Sequence, residues 1–346
     1  RVCDMSAINK MDYICEAINK AGYKVHIVSP SWFNDSITLA NFTGSSTINL
    51  TKSKKLTLGP SFGTSNKITR NIKIGVSLIW MFFWLLKHVK RDEKILAYHV
   101  QWFSLPLQIA KKIKGFKIIL EVEEIYGEVW DNNKILKKWE KKLINAADFF
   151  IAVSDLMSEV LEKNVKSIIY GNYSIPKVTS KKIDNGFINV VYAGSIDPTK
   201  GGAYNSVLCA RFLPENYKIH ISGFGAIKHV AKLEQIISKI NKELFREAVI
   251  FHGKVSNDDF SSFLMSNQIA INPQIDGENM NYLFPSKIIK YLSHNLRVVS
   301  TRIKSIDKST IAPLISFSEN DTAASISQAI LNINLNKKYD SRKVIK

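Results

Sequence analysis

From residue 188 onward the chain repeats one pattern: a short apolar run stops at glycine, serine or proline and gives way to an amphipathic segment. Residues 188–193 run into Gly194-Ser195, 217–222 into Gly223-Phe224-Gly225, 248–251 into His252-Gly253, and 268–272 into Pro273; 297–301 and 314–317 are further runs of the kind. Strands that are apolar on both faces need cover on both faces, and helices crossing above and below a parallel sheet provide it. The spacing predicts those helices over 201–212, 228–245, 257–265 and 321–332.

The first half alternates in the same way, less cleanly. A helix over about 9–21 carries Ile14, Ala17, Ile18 and Ala21 on one face and stops at Gly22. A strand follows at 24–28, then a polar stretch to residue 71 with one or two short strands. Strands at 95–100, 116–122, 149–153 and 166–170 are separated by helices over 104–115 and 134–147, and Ser154 or Asp155 caps a further helix. Residues 171–186 have a linker's composition. Two successive series of this kind predict an α/β protein of two doubly wound Rossmann-like domains facing across a cleft, 1–175 and 176–346. A domain of this type opens on a strand, and none precedes the first helix, so residues before Arg1 are expected.

At 346 residues the length suits two cores. The charge is lopsided, 48 basic against 30 acidic residues for a net +18, and calls for an anionic partner or surface. Between Lys52 and Lys142 there are 19 Lys/Arg and 8 Asp/Glu, so most of the surplus lies in the first half. The apolar run 74–89 is short of the roughly 20 residues that span a bilayer. Its Trp80, Phe82, Phe83 and Trp84, followed by Lys87, His88, Lys90 and Arg91, suit either a buried helix or one lying in a membrane interface. Cys3, Cys15 and Cys209 form no metal-ligand or disulfide spacing, as in a reducing cytoplasm.

Two stretches carry candidate chemistry. In 281–301, Pro285 and Ser286 read as a helix start whose hydroxyl and free N–H groups, with the Lys287 ammonium, point at an anion; the bland alternative is a capped surface helix packed through Ile288, Ile289, Tyr291 and Leu292. At the end of the strand 116–122, Glu121, Glu123 and Glu124 stand with Tyr126 where an open parallel sheet binds ligands. Three carboxylates so close repel one another, so something must use them unless the strand end is merely solvated.

The second half resembles the C-terminal domain of GT-B glycosyltransferases, specifically the retaining family 4 in its Pro-x-Lys variant. The resemblance rests on Tyr192-Ala-Gly-Ser-Ile-Asp-Pro-Thr-Lys-Gly201, Ile221-Ser-Gly-Phe-Gly225, Phe251-His-Gly253, Asn267-Gln-Ile-Ala-Ile-Asn-Pro273 and the run 285–301, in family order; 146–155 adds to it. It implies a metal-independent transferase with no cofactor, using a nucleotide diphosphosugar as donor substrate, UDP being favoured for the base. By position, Gly194, Ser195 and Lys200 fall in the first diphosphate loop, Gly223 and Gly225 in a turn meeting the donor, Lys254 and Val255 at the nucleobase, and Ser286 and Lys287 at phosphate. Lys200 and Lys287, with Glu123 and Glu124 from the first domain, are the expected catalytic groups.

This sequence departs from the family at five positions. Ser195 replaces an arginine, Lys290 the glutamate that holds the ribose, Tyr282 a second glutamate, and Asn295 and Arg297 a glycine and a proline. A lysine cannot accept two hydroxyl hydrogen bonds, which leaves Asp276 or Glu278 as substitutes. His99, at the end of its strand, is a further candidate. The resulting expectation is a transferase of bacterial-type surface polysaccharide assembly, acting on a glycan or lipid-linked acceptor. It would be cytoplasmic and held to the inner face of the cell membrane by the basic, aromatic first domain. The alternative is a catalytically silent partner of another transferase, and with no basic recognition motif nucleic acid is not expected as a ligand.

Overall fold

The computed structural model describes residues 5–30, 43–63, 66–125, 134–161, 164–176, 186–275 and 284–345. Two compact units divide the chain: Arg1–Ala152 with Leu161–Ile168, and Val153–Val160 with Ile169–Lys346. The sequence leads one to expect a single crossing near residue 175, whereas the chain enters the second unit at Val153, returns for Leu161–Ile168 and leaves again at Ile169.

In the first unit, helix α1 (Met5–Lys20) precedes β1 (Val25–Ser29), β2 (Ser46–Asn49) and β3 (Lys54–Leu58). These strands form one sheet in the order β1-β3-β2, with β1 parallel and β2 antiparallel to β3. Helix α2 (Lys67–His88) starts on a capping box, the Asn66 side chain accepting from the Thr69 N–H while the Thr69 hydroxyl reaches back to Asn66. Then come β4 (Lys94–Tyr98), α3 (Ser104–Lys114), β5 (Lys117–Val122), α4 (Lys134–Ala146) and β6 (Phe149–Ala152). Gly115 ends α3 at φ 75°, the left-handed conformation that releases the chain into β5. After α5 (Asp155–Leu161), β7 (Val165–Ile168) completes a parallel sheet β4-β5-β6-β7. Among the described residues the first unit thus holds two sheets where one was expected.

Helix α2 has 22 residues, longer than the 16 expected, and by length and composition it is apolar enough to cross a membrane. Its inward face is Lys73, Ser77, Met81 and Leu85. Of the four expected interfacial rings, Trp80 packs toward Gly59 and Trp84 lies edge-on to His26 at 5.1 Å, so both are engaged by the protein itself.

The second unit follows the sequence pattern closely. Its strands are β8 (Ile188–Ile196), β9 (Tyr217–Gly225), β10 (Val249–Phe251), β11 (Ile269–Asn272), β12 (Arg297–Ser300) and β13 (Ile315–Phe317). Its main helices are α6 (Gly202–Cys209), α7 (Ile227–Glu243), α8 (Asn257–Met265), α9 (Lys287–Ser293), α10 (Lys304–Asp307) and α11 (Ala323–Leu331). All six strands run parallel in the order β10-β9-β8-β11-β12-β13. That is the doubly wound order 3-2-1-4-5-6, whose direction of winding reverses between β8 and β11. Val190, Ile219, Ile221, Ile269, Ile271 and Val299 fill the sheet interior, and Leu233, Ile237, Ile326 and Ile330 cover it from the helices. Ser256 caps α8 through its bond from the Asp259 N–H, one residue before the expected cap at Asn257.

Beta strands 8 and 9 pair along nine residues, and near the end of that pairing two positions of β9, 223 and 225, admit no side chain. A Cβ on Gly223 would lie 2.0 Å from the Gly194 carbonyl oxygen, and one on Gly225 2.3 Å from that of Ile196. Both obstacles are backbone. Gly223→Ala is therefore expected to lower stability by about 3 kcal/mol in urea unfolding, at the upper end for overpacking; a loss below about 0.5 kcal/mol would show that the strands part without cost.

Candidate functional site

In an open parallel sheet the loops after the strands on either side of the winding reversal form the ligand crevice. Here those strands are β8 and β11. The loop leaving β8 turns on Asp197, whose carboxylate accepts from both the N–H and the hydroxyl of Thr199, and this holds the Asp197 carboxyl below its usual range. Lys200 follows, and Gly201 at φ 67° opens α6. A Cβ on Gly201 would sit 2.4 Å from Ile275, and the Lys200 carbonyl accepts from the Ile275 N–H at 3.3 Å, so the loops after β8 and β11 are joined across the reversal.

Lys287 begins α9 and reaches back under the β8 loop. Its Nζ lies 4.2 Å from the centre of the Tyr192 ring, and a Cβ on Gly194 would approach it to 2.7 Å. Glycine at 194 therefore makes room for the ammonium. Tyr192 is buried and donates its hydroxyl to the Ser195 carbonyl at 2.9 Å; Tyr291, buried on the next turn of α9, accepts from the Ala193 N–H at 2.8 Å and donates to the Ala193 carbonyl at 3.1 Å. Two tyrosines thus fix the end of β8 and the start of α9 relative to each other. Burial, aided by the nearby Lys200 charge, pushes the Lys287 amine down to about 7. Among the described residues, neither Lys200 nor Lys287 has a carboxylate within ion-pair distance. Lys287 is close enough to Lys200 for the two charges to repel, Asp197 lies near the exposed Lys200 without pairing with it, and two cations so placed suit an anion such as a diphosphate.

The other expected donor residues surround this pair. Ser195 is exposed at the end of β8. Gly223 and Gly225 lie in β9 and serve its close pairing with β8, not a free turn. Lys254 is exposed, its Nζ 5.5 Å from the Phe224 ring, and the Val255 N–H donates to the Ser222 hydroxyl at 3.4 Å, which ties the turn after β10 to the end of β9. Ser286 occupies the cap position of α9 but has helical backbone angles, φ −54° and ψ −20°, and its hydroxyl makes no cap bond. Lys290 lies on the same helix, half-buried, with its amine pushed down by burial. Asn295 adopts φ 58°, the left-handed turn expected for it, and Arg297 stacks on Tyr339 at 4.0 Å. Tyr126, Asp276, Glu278 and Tyr282 lie outside the described residues.

The acidic cluster of the first unit is used by a residue that sequence reading passed over. Lys10, buried on α1, places its Nζ 2.5 Å from Glu121 and 3.2 Å from Glu123, and the Tyr98 hydroxyl donates to Glu123 at 2.8 Å. Burial pushes the Glu121 carboxyl up to about 7 against the pull of Lys10. His99 donates from Nδ1 to the Glu124 carbonyl at 2.9 Å; burial pushes its ring down to about 4, so it is neutral at pH 7 and its 3.5 Å approach to Glu140 is a contact, not an ion pair. The signal for Lys10 was present: it lies one turn before Ile14, which is buried on the same face of α1. Among the described residues no group of three or more His, Cys, Asp or Glu has the geometry to hold a metal ion.

Removing Lys10 leaves the buried Glu121 and the half-buried Glu123 without their cation. Lys10→Met is expected to cost about 3–5 kcal/mol in urea unfolding, and the double replacement Lys10→Met/Glu121→Leu to recover most of it. A single variant as stable as the parent would mean the ion pair is not formed.

No protein-family model matches the chain, and no curated protein matches it. Solved structures do. An E. coli trehalose-6-phosphate structure bound with UDP-2-fluoro glucose aligns with 100% of this chain and 92% of its own at a TM-score of 0.70 and 11% identity. A UDP-forming alpha,alpha-trehalose-phosphate synthase from Burkholderia xenovorans gives 0.67 over 98% and 90% at 10% identity. The sucrose-phosphate synthase of Thermosynechococcus elongatus gives 0.66 over 96% and 86% at 13% identity. At such identities the likeness establishes the fold alone: this chain has the GT-B fold, of mixed α/β type with parallel sheets, its second unit doubly wound.

Proposed function

We propose that the protein is a glycosyltransferase that takes its sugar from a nucleotide diphosphosugar, and that Lys200 and Lys287 hold the donor's diphosphate. The observation that carries this reading is the approach of Lys200 and Lys287 at the winding reversal, neither in an ion pair with a described residue, with Lys287 lodged against Tyr192 beneath Gly194. A nucleotide-sugar fold with UDP-2-fluoro glucose in a neighbour supports it. As the glycosidic bond breaks, negative charge develops on the leaving diphosphate; ammonium groups already positioned in a partly desolvated site stabilise that charge more than they stabilise the intact donor. Pro285-Ser286-Lys287 supports placement in the Pro-x-Lys variant of family 4, and with it retention of anomeric configuration, UDP as the base and a glycan or lipid-linked acceptor in surface polysaccharide assembly. Glu123 faces Lys10 and Tyr98, which suits it to position an acceptor more than to move a proton.

The experiment is calorimetric titration with UDP, GDP, ADP and UDP-sugars, followed by transfer assays with the nucleotide that binds. One nucleotide diphosphate is expected to bind, and Lys287→Ala to weaken it by roughly tenfold to a hundredfold, the range for one lost charge-assisted contact. Failure of every nucleotide to bind, with stable co-purification of another transferase, would favour the silent-partner reading.

The pH dependence has a definite sign. The anion favours the protonated Lys287, whose amine sits near 7 in the free protein and rises when the diphosphate is bound. Affinity is then expected to fall by roughly tenfold per pH unit above pH 7 until the pKa of the bound state is reached, and this slope to vanish in Lys287→Met. A flat profile from pH 7 to 9 would contradict it.

A further inference from the structure

On α2, Met81 and Leu85 are buried, but four other large apolar residues face outward. Ile68, Ile72, Ile79 and Phe83 are 72, 54, 61 and 62% exposed, whereas Lys73 and Ser77 are buried. Their spacing, with Gly75 between, puts all four on one ridge about 60° wide. Helix α3, which packs beside α2, has a second ridge of Leu105, Ile109 and Ile113, all exposed.

The charge around these ridges has one sign. Neither α2 nor α3 contains an acidic residue, and the single one on α4, which packs against α3, is Glu140, buried. Lys134, Lys137, Lys138, Lys141 and Lys142 of α4 are exposed. Between α3 and α4 a groove of about 400 Å³ is lined by Gln108, Lys111, Lys112 and Lys142. Lys111 is committed to Asp148 at 2.6 Å, while Lys112 and Lys142 make no ion pair with a described residue.

We propose that this face of the first unit docks on an anionic lipid bilayer, α2 and α3 lying along the surface with Ile68, Ile72, Ile79, Phe83, Leu105, Ile109 and Ile113 in the headgroup–acyl boundary and Lys112 and Lys142 on lipid phosphate. Apolar ridges flanked by unpaired cations match a surface that is apolar within and negatively charged outside. Lys73 and Ser77 are held within the unit, which keeps α2 along the membrane and not across it. A second copy fits poorly, because a symmetric contact through this face would stack two wholly basic surfaces. The proposal concerns the first unit alone and does not rest on the donor site.

The test is co-sedimentation of the full chain with vesicles of phosphatidylcholine alone and of phosphatidylcholine with phosphatidylglycerol, near physiological salt. Binding to the anionic vesicles and little to the neutral ones is expected. Ile79→Ser/Phe83→Ser should weaken it by roughly tenfold or more, and Lys112→Gln/Lys142→Gln by about fivefold per lysine, with urea midpoints and the nucleotide titration unchanged. Binding to neither vesicle, equal binding by the variants, or a dimer in sedimentation velocity that Phe83→Ser abolishes would each overturn the proposal. Since nucleotide binding is read on the same samples, its failure and that of vesicle binding are seen separately.

Discussion

The contact of the Lys287 ammonium with the Tyr192 ring is the interaction on which the second unit's chemistry depends. It requires glycine at 194, since a side chain there would occupy the place of Nζ. It requires the Tyr291 hydroxyl on both backbone groups of Ala193, because α9 and β8 approach from different parts of the chain. Gly223 and Gly225 belong to the same construction: they let β9 lie close against the end of β8, which sets where the loop carrying Lys200 begins. The aromatic face supports the protonated form without an opposite charge, so an ammonium formed there can still meet an anion.

The first unit disposes of its charges in the opposite way. There Lys10 is inserted between Glu121 and Glu123, Tyr98 satisfies the second carboxylate, and His99 is kept neutral by burial. A buried cation among carboxylates holds three elements together, α1, β4 and β5, and has little charge left to offer. The uncompensated cations of that unit lie on its surface, along α4 and in the groove beside α3. Most of the net +18 falls between Lys52 and Lys142, and its exposed part includes the five lysines of α4.

The second unit was legible in the sequence because its strands are buried on both faces and read as unbroken apolar runs, each stopped by glycine or proline. The proximity of Lys200 to Lys287 was implied by the family resemblance and not by this pattern. What it missed depends on contacts between distant residues. Nothing local shows that Tyr192 and Tyr291 meet at the backbone of residue 193, or that the glycines of β9 serve strand pairing. In the first unit, strands β2 and β3 are short and half-exposed, so their period is weak, and the pattern does not distinguish one sheet from two. Helix α2 was ambiguous for a physical reason: it is apolar on most of its circumference, and only the fold decides that Lys73 and Ser77 go inward while Ile79 and Phe83 face out.

Burial and the neighbouring Lys200 charge hold the Lys287 amine short of its proton, and on the proposed function a diphosphate would restore it. The most direct measurement is an NMR titration of the Lys287 side chain, observed through a carbon-13 label on the ε-methylene and assigned with Lys287→Arg, in the free protein and with UDP. The account predicts a midpoint near 7 without ligand that moves well upward when UDP is bound. A midpoint near the ordinary lysine value of about 10.4 in both states would contradict it.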